Sequence, residues 1–264
     1  MEQKICVITG GSSGIGLCTA LKMKAKGYEV FEISRRREGA AGINHISADV
    51  TDEKHINEAV SYIIDKAGRI DVLINNAGFG ISGAVEFTET ADARKQFDVN
   101  FFGMVNMNRA VIPFMRRAGG GRIVNISSVA APIAIPFQAY YSAAKAAINS
   151  YTMALINEVR PYGISVCAVQ PGDICTGFTS AREKSYAGDE IYGGRISGSV
   201  AVMEHDERNG MKPEKAAHLI AAVAEAKKVR PVYTIGFKYK LFCALVKILP
   251  ARLVSYIVGR IYGG

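Results

Sequence analysis

Tyr141 and Lys145, four positions apart in "AYYSAAKAAINSY", are residues that could move a proton. That spacing puts two side chains on one face of a helix. There the ammonium would favour the phenolate of a tyrosine whose unperturbed pKa is about 10. Such a phenol suits carbon–oxygen redox chemistry: hydride addition to a ketone builds alkoxide charge, and a positioned acid delivers a proton as the charge grows. The spacing alone is weak, because 12 tyrosines in a lysine-rich chain give about one such pair by chance. Tyr62 with Lys66 is one of these, on a helical stretch that precedes a strand. Tyr141 instead follows "GRIVNISS", a serine-bearing strand end at the carboxyl edge, where open α/β sheets bind ligands.

A second constellation stands near the amino terminus. In "ICVITGGSSGIGLC", Gly10, Gly14 and Gly16 follow an apolar strand and open a helical stretch that stops at Gly27. Missing β-carbons permit a tight turn and close backbone approach, and the helix amino terminus offers free N–H groups to a pyrophosphate. The spacing, TGxxxGxG rather than GxGxxG, is read as a dinucleotide site. At the end of the next strand, an NAD-binding protein would carry an acid for the ribose 2′-hydroxyl. This chain has Ser34 followed by Arg35, Arg36 and Arg37. Guanidinium groups make charge-assisted bonds to a 2′-phosphate that an acid would repel. NADP(H) is therefore the expected cofactor, with Arg35 foremost and Arg37 read as part of a solvated turn.

These residues need a scaffold, and the chain supplies its pattern. Seven apolar runs, "KICVIT", "YEVFEI", "INHIS", "IDVLIN", "GRIVNIS", "GISVCAV" and "RPVYTI", alternate with stretches of helical length. This predicts an α/β fold with a doubly wound, mostly parallel seven-stranded sheet of Rossmann type, and residues 1–264 are read as one domain. Only "RRREGAAG" joins the second and third runs, so no full crossover helix is expected there. Segment 176–212 is read as a substrate lid. It includes an amphipathic helix with Ile191, Tyr192, Ile196, Val200 and Met203 on one side, and Phe178, Tyr186, Tyr192, Met203 and Met211 are candidates for an apolar pocket. Residues 237–264 form a basic amphipathic tail broken at Pro250. Packing or closure of the cleft is the favoured role for it, with peripheral contact to a membrane surface as the alternative.

Composition excludes several classes of protein. Of the 264 residues, 49% are hydrophobic and the charges are dispersed, which fits a folded chain, and the formal net charge of +8 favours anionic ligands. There is no nucleic-acid-binding module and no apolar run of membrane-spanning length, so a cytoplasmic enzyme is expected. Five cysteines without CxxC spacing and four scattered histidines indicate neither a disulfide framework nor a metal site.

Five motifs in order make the chain resemble the short-chain dehydrogenase/reductase family, in its single-domain branch. They are "TGGSSGIG" at 9–16, "ADV" at 48–50, "NNAG" at 75–78, "YSAAK" at 141–145 and "PGDICT" at 171–176, and the resemblance covers about residues 4 to 176. It implies cofactor contacts from Gly10, Ser12, Ser13, Gly14, Ile15 and Gly16 at the phosphates, and from Ser34, Arg35 and Arg36 at the ribose phosphate. Asp49 and Val50 would meet the adenine, Asn76, Ala77 and Gly78 the ribose, and Pro171, Gly172 and Thr176 the nicotinamide. The implied catalytic set is Asn100, Ser128, Tyr141 and Lys145. Ser128 is chosen over Ser127 by its distance from the tyrosine, and Tyr141 over Tyr140 by the lysine offset. Tyr141 would be the acid/base and Ser128 would bond the substrate oxygen. Lys145 would hold the nicotinamide ribose and Asn100 would anchor a water leading protons to it. The family also implies a homodimer or homotetramer and a small-molecule substrate. The departure of the tail from the usual family ending points to a bulky apolar, steroid-like or lipid-like ketone or alcohol. A 3-oxoacyl thioester reductase and a non-catalytic NADP-sensing module are the alternatives.

Overall fold

The computed structural model describes residues 3–263. The chain runs β1 (Ile5–Thr9), α1 (Gly14–Ala25), β2 (Glu29–Ser34), β3 (Asn44–Ser47), α2 (Glu53–Ala67), β4 (Val72–Asn75) and β5 (Ile81–Ser82). It continues with α3 (Thr90–Phe97), α4 (Gly103–Arg117), β6 (Gly121–Ile126), α5 (Ala139–Val159), β7 (Ile164–Pro171), α6 (Phe178–Ala181) and β8 (Glu183–Lys184). It ends with α7 (Arg195–Arg208), α8 (Pro213–Glu225), β9 (Val232–Ile235), α9 (Phe237–Val246) and α10 (Ala251–Tyr262).

All seven apolar runs are strands of one sheet, in the order β3-β2-β1-β4-β6-β7-β9. Each neighbouring pair is parallel, so the sheet is wholly rather than mostly parallel. The order reverses direction between β1 and β4, which opens a crevice at their carboxyl ends. Alternation along β1 builds both layers. Ile5 and Val7 join the core shared with Ile56, Val60 and Ile63 of α2 and Met107 of α4. Cys6 and Ile8 face Met23 of α1 and Ile220 of α8. Each large aliphatic side chain so buried contributes about 1.5–3 kcal/mol. No helix joins β2 to β3, as the short connection predicts.

Polar groups tie the layers behind the crevice. Asn75 Nδ2 donates to Asn108 Oδ1 (2.8 Å) and Asn125 Oδ1 (2.9 Å), and Asn125 Nδ2 donates to Thr152 Oγ1 (2.9 Å). The chain of bonds joins β4, β6, α4 and α5. The Arg122 guanidinium on β6 donates to the carbonyls of Val223 and Ala226 (2.7 Å each), satisfying the carboxyl end of α8.

Two features differ from the sequence expectation. A two-stranded parallel sheet pairs β5 with β8, and Glu183 N donates to Gly80 O (3.0 Å), fastening the segment after β7 to the loop after β4. The amphipathic helix of that segment starts at Arg195, later than its apolar pattern suggests, so Ile191 is 76% exposed while Ile196, Val200 and Met203 are buried. Gly193 and Gly194 have φ of 61° and 79°, and the Asp189 carboxylate accepts from Ile196 N (2.9 Å) and Ser197 N (3.0 Å). The glycines break the helix and the aspartate caps it.

Replacing Asn125 with alanine strands buried partners on both sides, at a cost of about 2–4 kcal/mol. The check is the urea midpoint of Asn125→Ala. A marked fall is expected, and an unchanged midpoint would contradict the network.

Candidate active site

The crevice is a cleft of about 420 Å³ that begins at the glycine turn. A β-carbon at Gly16 would collide with the carbonyl of Gly10 and approach Asn76 Nδ2 to 2.5 Å, so only glycine lets α1 start this close to β1 and the loop after β4. Gly10 (φ 64°) and Gly14 (φ 53°) take left-handed backbone. The first turn of α1 holds no acidic residue, and the Ser13 side chain does not cap it, so its N–H groups and partial positive charge face the cleft uncompensated. Asn76 bolts the wall together: its Nδ2 donates to the carbonyls of Thr9 (3.1 Å) and Gly10 (3.2 Å). This cradle fits a pyrophosphate.

The structure brings Gly10, Ser12, Ser13, Gly14, Ile15, Gly16, Asn76, Ala77, Gly78, Pro171, Gly172 and Thr176 to this one cleft, with Ser128, Tyr141 and Lys145. Of the arginines after β2, Arg36 lines it, whereas Arg35 is exposed and stands outside the lining. Ser34 is also set back, its Oγ donating to Glu32 Oε1 at 3.3 Å. Asp49 turns to Thr51, accepting from its N (2.9 Å) and Oγ1 (2.8 Å), and Val50 is buried, its carbonyl accepting from Asn106 Nδ2 (3.0 Å).

α5 carries Tyr141 and Lys145. Ser127 and Ser128 diverge at the end of β6. Ser127 Oγ donates to Lys145 O (3.0 Å), while Ser128 Oγ accepts from Ala130 N (3.1 Å) and lines the cleft with Tyr141. Lys145 Nζ donates to Ile126 O (2.9 Å) and lies 5.6 Å from the centre of the Tyr141 ring. The Tyr62–Lys66 pair stays on the outer face of α2, with Tyr62 51% exposed. Asn100 is buried in a π-helical turn, Asp98–Phe102, where its Nδ2 donates to Phe79 O and its Oδ1 accepts from Phe79 N, both at 2.9 Å. It stands behind the cleft wall, and both Asn100 Oδ1 and Lys145 Nζ approach Gly78.

The expected lowering of the phenol invoked both Lys145 and an oxidised nicotinamide, and in the protein by itself desolvation dominates. Desolvation pushes Tyr141 up to about 12, opposed by the polar Ser128 hydroxyl, and the Glu207 carboxylate raises it further. Desolvation also pulls Lys145 down to about 8. In the protein's own field the phenol is held neutral, and an added positive group is what would lower it.

The substrate side was less legible. Phe178 and Met203 line the cleft as expected, but Tyr186 is exposed, Met211 packs under the sheet, and Tyr192 donates to Glu86 (2.7 Å) and stacks edge-on with Phe137. Phe137 itself is held at φ 57°, a strained position for an aromatic residue. Ile135, Gln138, Asp173, Glu207 and Tyr262 line the cleft without any local motif to mark them. Arg182, fully covered, pairs with Glu207 Oε1, and Thr179 Oγ1 donates to Oε2 (2.7 Å). Within the tail, Tyr239 covers Gly172 and bonds Asp173, and Tyr262 reaches the cleft, so the tail closes one side of it.

The short chain dehydrogenase family model matches residues 4–187, and the chain belongs to that family; it is an oxidoreductase. Among its relatives, the 3-ketodihydrosphingosine reductase of Bacteroides thetaiotaomicron is 40% identical, with 99% of each chain covered. A short-chain dehydrogenase structure from Streptomyces avermitilis superposes with a TM-score of 0.84 at 30% identity, covering 96% of each chain. The structure of ElxO with NADP bound gives a TM-score of 0.75 at 29% identity, covering 90% of this chain and 99% of that one.

Lys145 has a stability signature. Between its folded value of about 8 and its ordinary value of 10.5, the unfolded chain keeps a proton that the folded protein has lost. Stability from this position therefore rises with pH across that window. In urea titrations, the unfolding free energy of wild type minus that of Lys145→Met should rise with pH there. A flat difference would show that the ammonium is solvated.

Proposed function

We propose that the protein is an NADP(H)-dependent reductase that interconverts a ketone and a secondary alcohol on a lipid-like substrate, with Tyr141 as general acid/base. The observation that carries this reading is the convergence of Ser128, Tyr141 and Lys145 on the cleft that starts at the glycine turn, with the Lys145 ammonium 5.6 Å from the centre of the phenol ring. The dinucleotide would be held by Gly10 to Gly16, Asn76 to Gly78, Pro171, Gly172 and Thr176, with Lys145 at its ribose. When bound it supplies or accepts the hydride. Tyr141 Oη gives its proton to the substrate oxygen during reduction and takes it back during oxidation. Ser128 Oγ donates to the same oxygen and stabilises the growing charge. Lys145 Nζ, with its proton held loosely by desolvation, favours the phenolate and passes protons on. Asn100, with both side-chain atoms engaged by Phe79, is a positioning residue that sets the wall facing Lys145.

NADP(H) is supported by the arginines after β2 and by Arg36 in the cleft lining. A lipid-like substrate is supported by the apolar side chains of Ile135, Phe178, Ala181 and Met203, which line the same cleft as Tyr141, and by the likeness to the 3-ketodihydrosphingosine reductase. Asp173 and Glu207 also line the cleft, the first bonded by Tyr239 and the second held by Arg182 and Thr179.

Tyr141→Phe should lower kcat/KM about 10²- to 10⁴-fold in both directions. NADPH affinity, read by fluorescence titration, should hardly change, and comparable turnover in the variant would remove the acid/base role. The double variant Arg35→Ala with Arg36→Ala should raise KM for NADPH about tenfold to a hundredfold and leave NADH nearly unaffected, whereas equal losses would remove the cofactor preference. Assayed with NADPH, a long-chain apolar ketone should be reduced and a 3-oxoacyl thioester should not. The opposite pattern would replace the substrate class.

A further inference from the structure

The net charge of the chain is not spread over it. Residues 1–225 hold as many basic as acidic side chains, whereas 226–264 hold eight basic and no acidic ones, so the whole formal charge of +8 resides in β9, α9 and α10 with their connections. These elements have two unlike faces. The inner face buries Cys243 and Val258 with Val129 and Ile133 from the loop after β6, and it presents Tyr262 to the cleft. The outer face leaves apolar side chains uncovered: Phe237 is 85% exposed, Leu241 56%, Ile248 77% and Tyr256 66%. Along α9 and the turn after it, Phe237, Leu241 and Ile248 fall on one stripe at helical spacing. Lys238, Lys240 and Lys247 flank that stripe, and Arg252 and Arg260 are exposed on α10.

We infer that this outer face lies on the surface of an anionic phospholipid bilayer. An apolar stripe flanked by long cations matches the interface between headgroups and acyl chains, because the apolar groups enter the acyl boundary while the cations stay among the phosphates. Nucleic acid would match the charge but give Phe237 and Ile248 no apolar phase to enter. A second copy related by a two-fold axis would bring two strongly positive faces together. Among the described residues no helix is long and apolar enough to cross a membrane, so the contact is superficial. The inner face of the same helices closes the substrate cleft, which sets the cleft immediately behind the docking surface. The inference concerns surface chemistry alone and stands apart from the reading of the substrate.

The test is co-sedimentation of the full-length protein with vesicles of phosphatidylcholine and with vesicles in which phosphatidylglycerol replaces part of it, at low and high sodium chloride. Retention is expected on the anionic vesicles only, with release by salt. Lys240→Gln with Lys247→Gln should lower the partition coefficient about thirtyfold. Phe237→Ser with Ile248→Ser should weaken binding while leaving circular dichroism and thermal unfolding unchanged, since both side chains are exposed in the free protein. No retention on anionic vesicles, or equal retention on neutral ones, would overturn the inference. A fall in oligomeric mass of the serine variant without vesicles would overturn it as well, by assigning the face to a second copy.

Discussion

The rest of the site depends on a reciprocal pair of hydrogen bonds between α5 and the end of β6. Lys145 Nζ donates to the Ile126 carbonyl, and the neighbouring Ser127 hydroxyl donates to the Lys145 carbonyl. A buried ammonium is costly unless it is bonded, and the lowered proton affinity of Lys145 records that cost. In return, one helix is locked in rotation and height against one strand. That lock sets Tyr141, one turn earlier on α5, against Ser128, the residue that follows Ser127. The asparagine network through Asn75, Asn108 and Asn125 braces the same two elements from behind. Tyr141 and Ser128 thus sit on a helix and just past a strand end held from two sides, a rigidity that would suit the positioning of a proton donor.

The other half of the cleft obeys a constraint of space. α1 can begin where it does only because Gly16 has no side chain to strike the Gly10 carbonyl, and Asn76 then closes the gap by bonding that carbonyl and its predecessor. The positive end of α1 and the hydroxyl–phenol pair thus open into one crevice, at the point where the sheet reverses its strand order. The segment after β7 and the tail close the remaining sides, through the β5–β8 pairing, the Arg182–Glu207 pair and Tyr262.

Legibility followed physical locality. The inner strands could be read because a strand buried on both faces is an unbroken apolar run, as in "ICVIT", whereas the partly buried edge strands β3 and β9 were marked by their place in the alternation. The glycine turn and the tyrosine–lysine pair could be read because each is a short motif with its own geometry. Ser128, preferred over Ser127 for its distance from the tyrosine, lines the cleft, while the Ser127 hydroxyl donates to the helix backbone. Glu207 and Tyr262 were not found, because what brings them to the cleft is the packing of α7 and α10, which no local spacing encodes. The β5–β8 sheet is two residues wide and leaves no periodicity. The start of α7 was misplaced because apolar Ile191 and Tyr192 continue the pattern across a glycine pair that breaks the backbone. The phenol was expected to be lowered by the Lys145 ammonium together with an oxidised nicotinamide, and in the protein by itself the withdrawal of water outweighs the ammonium and holds Tyr141 protonated.

The central claim is that Tyr141 becomes acidic only when positive charge is brought beside it, with Lys145 completing the effect. The direct measurement is the titration of the Tyr141 phenol, followed by phenolate absorbance as the difference between wild type and Tyr141→Phe, in the protein alone and with NADP+ added. The account predicts a midpoint near 12 alone, a fall of several units with the oxidised cofactor, and loss of most of that fall in Lys145→Met. A midpoint that does not move on addition of NADP+ would contradict it.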